Sequence, residues 1–296
     1  MLVRRDFLGG VGGVALAGLT PALARSSADS SFGGEPFAQA VRAAEAGGGG
    51  RLGLAVLDTE TRKRFAWRGD ERFPVASTFK FVLAGAVLAA VDRGRERLER
   101  RIPIAVSDLI EHAPVTGKHI GTGLTVAELC EAIIVWSDNP AANLLLHIVG
   151  GSAGLTRFAR GLGDDQFRLD RMETALNEAT PGDPRDTTTP EAMLGHLDRL
   201  LLGDVLSPAS RGRLTEWLIA CRTGDQKIRA GLPKDWRCGD KTGGGGYGTN
   251  NDIAILWPPE RRPILVASYL TESTASLDAR NAALAALGRA VAAAIA

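Results

Sequence analysis

The sequence predicts a mixed α/β domain of the α+β kind: an antiparallel sheet flanked by N- and C-terminal helices, with an all-helical subdomain inserted. Three observations predict it. Strand patterns occur near both ends of the chain, in "RLGLAVLD", "DIAILW" and "PILVASYLT". The stretch between them, from about Ser77 to Thr215, is mostly helical in its signals. The tail from Leu277 places Leu284, Leu287, Val291 and Ile295 on one helical face, which closes the domain with an amphipathic helix.

Taken in order, the chain opens with "MLVRRDFLGGVGGVALAGLTPALA". Arg4-Arg5, the apolar run and Ala22-Leu23-Ala24 form the basic, apolar and small-residue parts of an export signal. The pair in "RRDFL" is similar to a twin-arginine signal. The expected division is a leader over residues 1–24 and one mature domain over 25–296, in a bacterial periplasm. Within that domain the α/β part is expected at about 30–70 and 220–296, and the helical part at about 71–219. "EPFAQAVRAAEA" has helical spacing and stops at the glycines from Gly47 to Gly50. "RLGLAVLD" alternates around Leu52, Leu54 and Val56, which suits a strand, and "KRFAWRG" is its expected hairpin partner. The apolar run after Ser77 ends at Gly94. Thr125 with Glu128 forms a capping-box pattern before "AELCEAIIVW". "NPAANLLLHIVGG" and "TPEAMLGHLDRLLLG" follow, with Pro near the start and Gly at the end.

Bulk properties narrow the class. With 296 residues, 45% hydrophobic and 23% charged, the chain is globular and large enough for a substantial core. A formal net charge of +1, without basic or acidic runs, argues against nucleic acid or a polymeric partner. The three cysteines, Cys130, Cys221 and Cys238, leave at least one thiol unpaired. The four histidines are scattered and no C-x-x-C occurs, so neither a metal nor a cofactor is expected.

Four short strings carry candidate chemistry. Ser77 and Lys80 in "ASTFKF" are three residues apart, which puts them on one helical face. A lysine snorkelling to solvent is the bland alternative. Ser137-Asp138-Asn139 lies between two helices, and Lys241-Thr242-Gly243 lies on a strand or its end. Between them "FRLDRMETALNEATPGDPRDTTTP" is a long polar connection, of the kind that is either functional or simply solvated. A serine hydroxyl is a weak nucleophile and needs an adjacent base, which Lys80 or a carboxylate can supply.

In this order and context the strings resemble those of the class A serine β-lactamases, whose motif set is S-x-x-K, S-D-N and K-T-G. "ETALN", from Glu173 to Asn177, looks like the E-x-x-L-N element of that family's Ω loop. The resemblance covers essentially the whole mature chain, including "GDPRDTTTP" and "DKTGGGGYGTNNDIAILWP". It implies the β-lactamase/penicillin-binding transpeptidase-like fold and hydrolysis of small-molecule β-lactams by a monomer. It implies no cofactor and no stable membrane association after signal cleavage.

The resemblance also implies roles. Ser77 would be the nucleophile, with Lys80 or Glu173 as its base. Glu173 and Asn177 would hold the deacylating water. Ser137 would relay a proton, and Asn139 would bind the substrate's side-chain amide. Lys241 and Thr242 would bind the substrate carboxylate, and the N–H groups of Ser77 and Gly244 would form the oxyanion hole.

By the same resemblance Arg171 and Asp186 would close the loop, with Arg168, Asp170 and Asp183 adding to it. The bond from Glu173 to Thr174 would be cis. His112 falls where the family often has an aromatic wall, with a plain surface histidine as the alternative. Asn250 stands where some members carry Arg. Lys227, if not simply solvated, would replace that charge. Cys130 matches half of a family disulfide whose other position is here Ala84, so the resemblance implies a buried free thiol. A penicillin-binding D,D-peptidase and an acylated sensor share the short motifs, but Glu173 with Asn177 argues against the peptidase. A generic serine esterase would have no reason for Ser137 and Lys241 together.

Overall fold

The computed structural model describes residues 32–295, so the leader expected over residues 1–24 lies outside the described residues. Helix α1 (Glu35–Gly48) is followed by the hairpin β1 (Arg51–Asp58) and β2 (Arg64–Trp67). The short β3 (Phe73–Pro74) leads through a 3-10 turn, Ala76–Thr78, into α2 (Phe79–Asp92). Then come β4 (Arg101–Ile102), β5 (Leu124–Thr125), α3 (Val126–Val135), α4 (Asn139–Ile148) and α5 (Gly151–Gly161). β6 (Thr187–Thr188), α6 (Pro190–Leu201) and α7 (Pro208–Ile219) complete the helical part. β7 (Arg237–Gly244), β8 (Asn250–Trp257), β9 (Ile264–Thr271) and α8 (Leu277–Ala293) close the fold.

Five strands form one antiparallel sheet in the order β2-β1-β9-β8-β7. The first and last strands of the chain meet in register, Ala55 opposite Ala267. The strand expected for "RLGLAVLD" forms as β1, and it is buried on both faces. Leu52, Leu54 and Val56 do face the terminal helices α1 and α8, but Ala55 and Leu57 pack into the core of the helical layer. A central strand covered on both sides buries both of its alternating sets, so the alternation seen in sequence was only one of its faces.

The helical part is centred on α2, buried from Phe79 to Ala89 on every side. A helix with no polar face is a core helix. The capping box forms as expected, with Glu128 N donating to Thr125 Oγ1 at 3.2 Å and Thr125 N donating to Glu128 Oε2 at 2.7 Å. α5 has a local cause: Gly150 and Gly151, read in sequence as the stop of α4, have φ of 86° and 72° and let the chain start a new helix at once.

The long polar connection is packed rather than solvated. Phe167, Leu169 and Leu176 are buried beneath it. Arg171 Nε donates to Asp186 Oδ2 at 2.6 Å, and the Asp186 carboxylate also accepts from the N–H groups of Asp170 and Arg171. Arg168 pairs with Asp170 at 2.6 Å. Asp183 adds its charge to Arg168 from nearby, while its direct partner is Arg185 at 2.6 Å, which also donates its own N–H to the same carboxylate. Two residues of separation let one arginine make both contacts.

Candidate active site

The site lies where the start of α2, the α3–α4 junction, the Ω loop and β7 meet. Ala76, just before Ser77, has φ of 42°, a left-handed conformation that a side chain adopts only when the surroundings hold it there. Asn251 on β8 donates its side-chain N–H to Pro74 O at 2.9 Å and so ties this turn to the sheet. One turn along, Lys80 is fully buried and does not snorkel. Its Nζ lies 3.0 Å from Ser77 Oγ, 2.8 Å from Ser137 O, 3.3 Å from Ser137 Oγ and 2.6 Å from Asn139 Oδ1.

The α3–α4 junction presents Ser137 and Asn139. Ser137 has φ of 59°. Asp138 caps α4 through Ala141 N at 2.9 Å and also accepts from Val115 N, Thr116 N and the Thr116 hydroxyl. A buried aspartate satisfied in this way fixes the residues on either side of it. Asn139 donates Nδ2 to Glu111 O at 3.0 Å, which turns its oxygen toward Lys80. His112 is exposed at the edge, its ring Nε2 2.8 Å from Trp136 O.

The Ω loop brings Glu173 over this cluster. Its Oε1 is 2.9 Å from Lys80 Nζ and accepts from Ser77 Oγ at 3.4 Å; its Oε2 accepts from Asn177 Nδ2 at 2.5 Å. The Glu173–Thr174 peptide bond is cis, as the resemblance implies. Asn143 grips the Glu173 main chain from both sides, accepting from its N–H at 3.0 Å and donating to its carbonyl at 2.9 Å. Sequence reading missed Asn143. The signal available was an asparagine four residues after Asn139 on an otherwise apolar helix, hence on the same face.

β7 forms the other wall. Lys241 is fully buried, with Nζ 3.1 Å from Ser137 Oγ and 2.7 Å from Thr242 O. Thr242 shares its hydroxyl with that of Thr223 at 2.6 Å. Gly243 passes so close to the nucleophile that a Cβ there would come 3.3 Å from Ser77 N, which sets Ser77 and the adjoining Gly244 side by side. Gly246 N donates to Asn177 O at 2.9 Å, and a Cβ at Gly246 would fall 2.3 Å from Glu178 O. The glycine run is therefore what lets the hairpin touch the Ω loop.

The two buried lysines are electrostatically unusual. Burial pulls Lys80 below the ordinary lysine range, and Glu173 opposes that shift. Burial, with the nearby positive charges of Lys80 and Lys227 adding to it, lowers Lys241 to about 7.

Residues 36–295 match the family described as the β-lactamase enzyme family. β-Lactamase L2 of Stenotrophomonas maltophilia is 45% identical over 98% of both chains. The solved ancestral (GNCA) class A β-lactamase is 62% identical with a TM-score of 0.85, covering 86% of this chain and 98% of that one. The chain belongs to the class A β-lactamases. A further class A structure, the putative β-lactamase PenP from Rhodopseudomonas palustris, is 56% identical with a TM-score of 0.86, covering 88% of this chain and all of that one (100%).

Against that family several positions stand out in this β-lactamase. Cys130, Cys221 and Cys238 are all free and buried. Asn250 faces away from any charge role, donating to Asn281 Oδ1 at 3.0 Å. Lys227 is not the solvated lysine that was the plainer reading: it is buried, with Nζ donating to Asn251 O at 3.0 Å beneath β7 and β8.

Proposed function

We propose that this β-lactamase acylates Ser77 with penicillins and cephalosporins and clears the ester with a water held by Glu173 and Asn177, giving resistance to these antibiotics. The observation that carries the reading is the Glu173 carboxylate, which reaches Lys80 Nζ at 2.9 Å, Ser77 Oγ at 3.4 Å and Asn177 Nδ2 at 2.5 Å. One carboxylate is thereby in reach of the nucleophile's proton and the lysine's proton, and it meets the Asn177 amide on the loop side, beside which the deacylating water would be held.

In acylation Ser77 Oγ attacks the lactam carbonyl and its proton leaves toward Lys80 or Glu173; both routes use the same Lys80–Glu173 contact. The N–H groups of Ser77 and Gly244 stabilise the oxyanion, a donor whose loss costs about 3–4 kcal/mol in such sites. Ser137, in contact with Lys80 and Lys241, passes a proton to the lactam nitrogen as the C–N bond breaks. Asn139 takes the substrate's side-chain amide. Lys241 and Thr242 hold its carboxylate, with Lys227 adding positive charge from below. His112 lines the rim. In deacylation Glu173 removes a proton from water, hydroxide adds to the ester carbonyl, and Ser77 Oγ leaves with a proton.

The remaining assignments are part of the same proposal. Residues 1–24 act as a twin-arginine-type leader and residues 25–296 as one monomeric periplasmic domain. Among the described residues no helix is long and apolar enough to cross a membrane.

Steady-state turnover of a chromogenic cephalosporin by wild type, Glu173→Ala and Ser77→Ala tests the reading. The expected results are fast turnover, a single burst, and no acylation. A wild type that acylates once and stops would replace the hydrolase with a sensor or peptidase.

A further inference from the structure

A second cavity lies on the far side of the helical subdomain, where the ends of α2 and α4 meet α5. It measures about 420 Å3, within the range of small-molecule sites. Arg93, Arg95, Arg100 and Arg157 stand around it, with Glu96 as its single carboxylate. Arg100 already occupies Glu96, donating Nε to Oε1 at 2.7 Å. Arg93, Arg95 and Arg157 form no salt bridge with a described residue. Asp92 beside them is turned away, accepting from Ser207 and Ser210 at 2.7 Å. Three guanidinium groups without a salt bridge among the described residues stand at one cavity, Arg93 acting on Asp92 only through its charge, a marked concentration in a chain whose formal net charge is +1.

Helix ends explain part of this, since a cation at a C-terminus complements the macrodipole, and Arg93 caps α2. They do not explain Arg95, beyond the helix, or Arg157, inside α5. Arg157 folds back over the α4–α5 turn, so that a Cβ on Gly150 would come 3.4 Å from its Nη2. The floor is different in character: Ala90, Ile148 and Phe158 are apolar and half-buried. Guanidinium forks match phosphate oxygens in pairs, and several of them around one space favour a multiply charged head.

We propose that this cavity is a binding site for a phosphomonoester carrying an apolar group, its phosphate among Arg93, Arg95 and Arg157 and its apolar part on Ala90, Ile148 and Phe158. The site is separate from the β-lactam site and does not depend on the reading given for Ser77.

The test is an amide-shift NMR titration of the full mature chain with phenyl phosphate and with inorganic phosphate. Wild type shifts resonances around Gly150 and Arg157 and binds phenyl phosphate more tightly than inorganic phosphate. Combined Arg95→Ala and Arg157→Ala weakens that binding at least tenfold, with cephalosporin turnover unchanged. Combined Arg95→Lys and Arg157→Lys keeps the charge and loses less, and Arg62→Ala, on another surface, loses nothing. Affinity falls as salt rises. A response only to vesicles containing phosphatidic acid supports the same headgroup from a lipid source. Equal affinity in wild type and the double alanine variant, or shifts confined to Lys241 and Thr242, overturns the site.

Discussion

On the helical side of the site Lys80 sits among Ser77, Ser137, Asn139 and the Glu173 carboxylate; on the sheet side, among the described residues, Lys241 donates to the Ser137 hydroxyl and the Thr242 carbonyl. Both side chains are fully buried, so desolvation works against the charge of each. Only Lys80 has a carboxylate within contact distance to offset it. Lys241 falls to about 7, pushed by burial first and by the charges of Lys80 and Lys227 as well. The helical side is thus a completed ion pair suited to moving a proton. The sheet side is a buried cation with no carboxylate in contact among the described residues, and in the proposed mechanism the substrate carboxylate would complete it.

Breaking the helical side should cost most. Lys80→Met removes the cation that Glu173 faces and the amine that Ser77 faces. Acylation should slow by roughly 10²–10⁴-fold, the range for losing a positioned acid or base, read as the single-turnover burst rate. Breaking the sheet side should cost less. Lys241→Met removes charge-assisted hydrogen bonds worth about 1.5–3 kcal/mol, so kcat/KM should fall roughly 10- to 150-fold.

A pH profile sharpens the comparison without a mutation. Lys241 is a cation below about 7 and neutral above it, so kcat/KM for a β-lactam carboxylate should decline as pH rises through about 7. The same β-lactam as its methyl ester, lacking the anion, should lose that limb. Smallest of all, His112→Ala should change turnover by no more than about threefold, because an exposed ring resting on Trp136 O contributes within about 0.5 kcal/mol.

The sequence already showed much of this in the order of its motifs. Ser77 with Lys80 and Glu173 with Asn177 are local pairs, but the two pairs, Ser137 and Lys241 lie far apart in the chain, and no local rule joins them; the family resemblance did. The Arg171–Asp186 closure was legible for the same reason. Local patterns sufficed for α1, α3 and α8, where caps and apolar stripes coincide. They failed where tertiary contact decides. Lys227 reads as a surface lysine until β8 covers it, and Arg185, which sequence reading did not single out, is the direct partner of Asp183. Asn143 had no motif of its own, only its place four residues after Asn139 on one helical face.

The account stands most directly on one measurement: the intact mass of the protein quenched during penicillin turnover, with peptide mapping of any adduct. The predicted result is that Glu173→Gln accumulates one whole penicillin mass on the peptide bearing Ser77, wild type carries little, and Ser77→Ala carries none. An adduct on Ser77→Ala, or a Glu173→Gln protein that still turns over at the wild-type rate without loading, would contradict it.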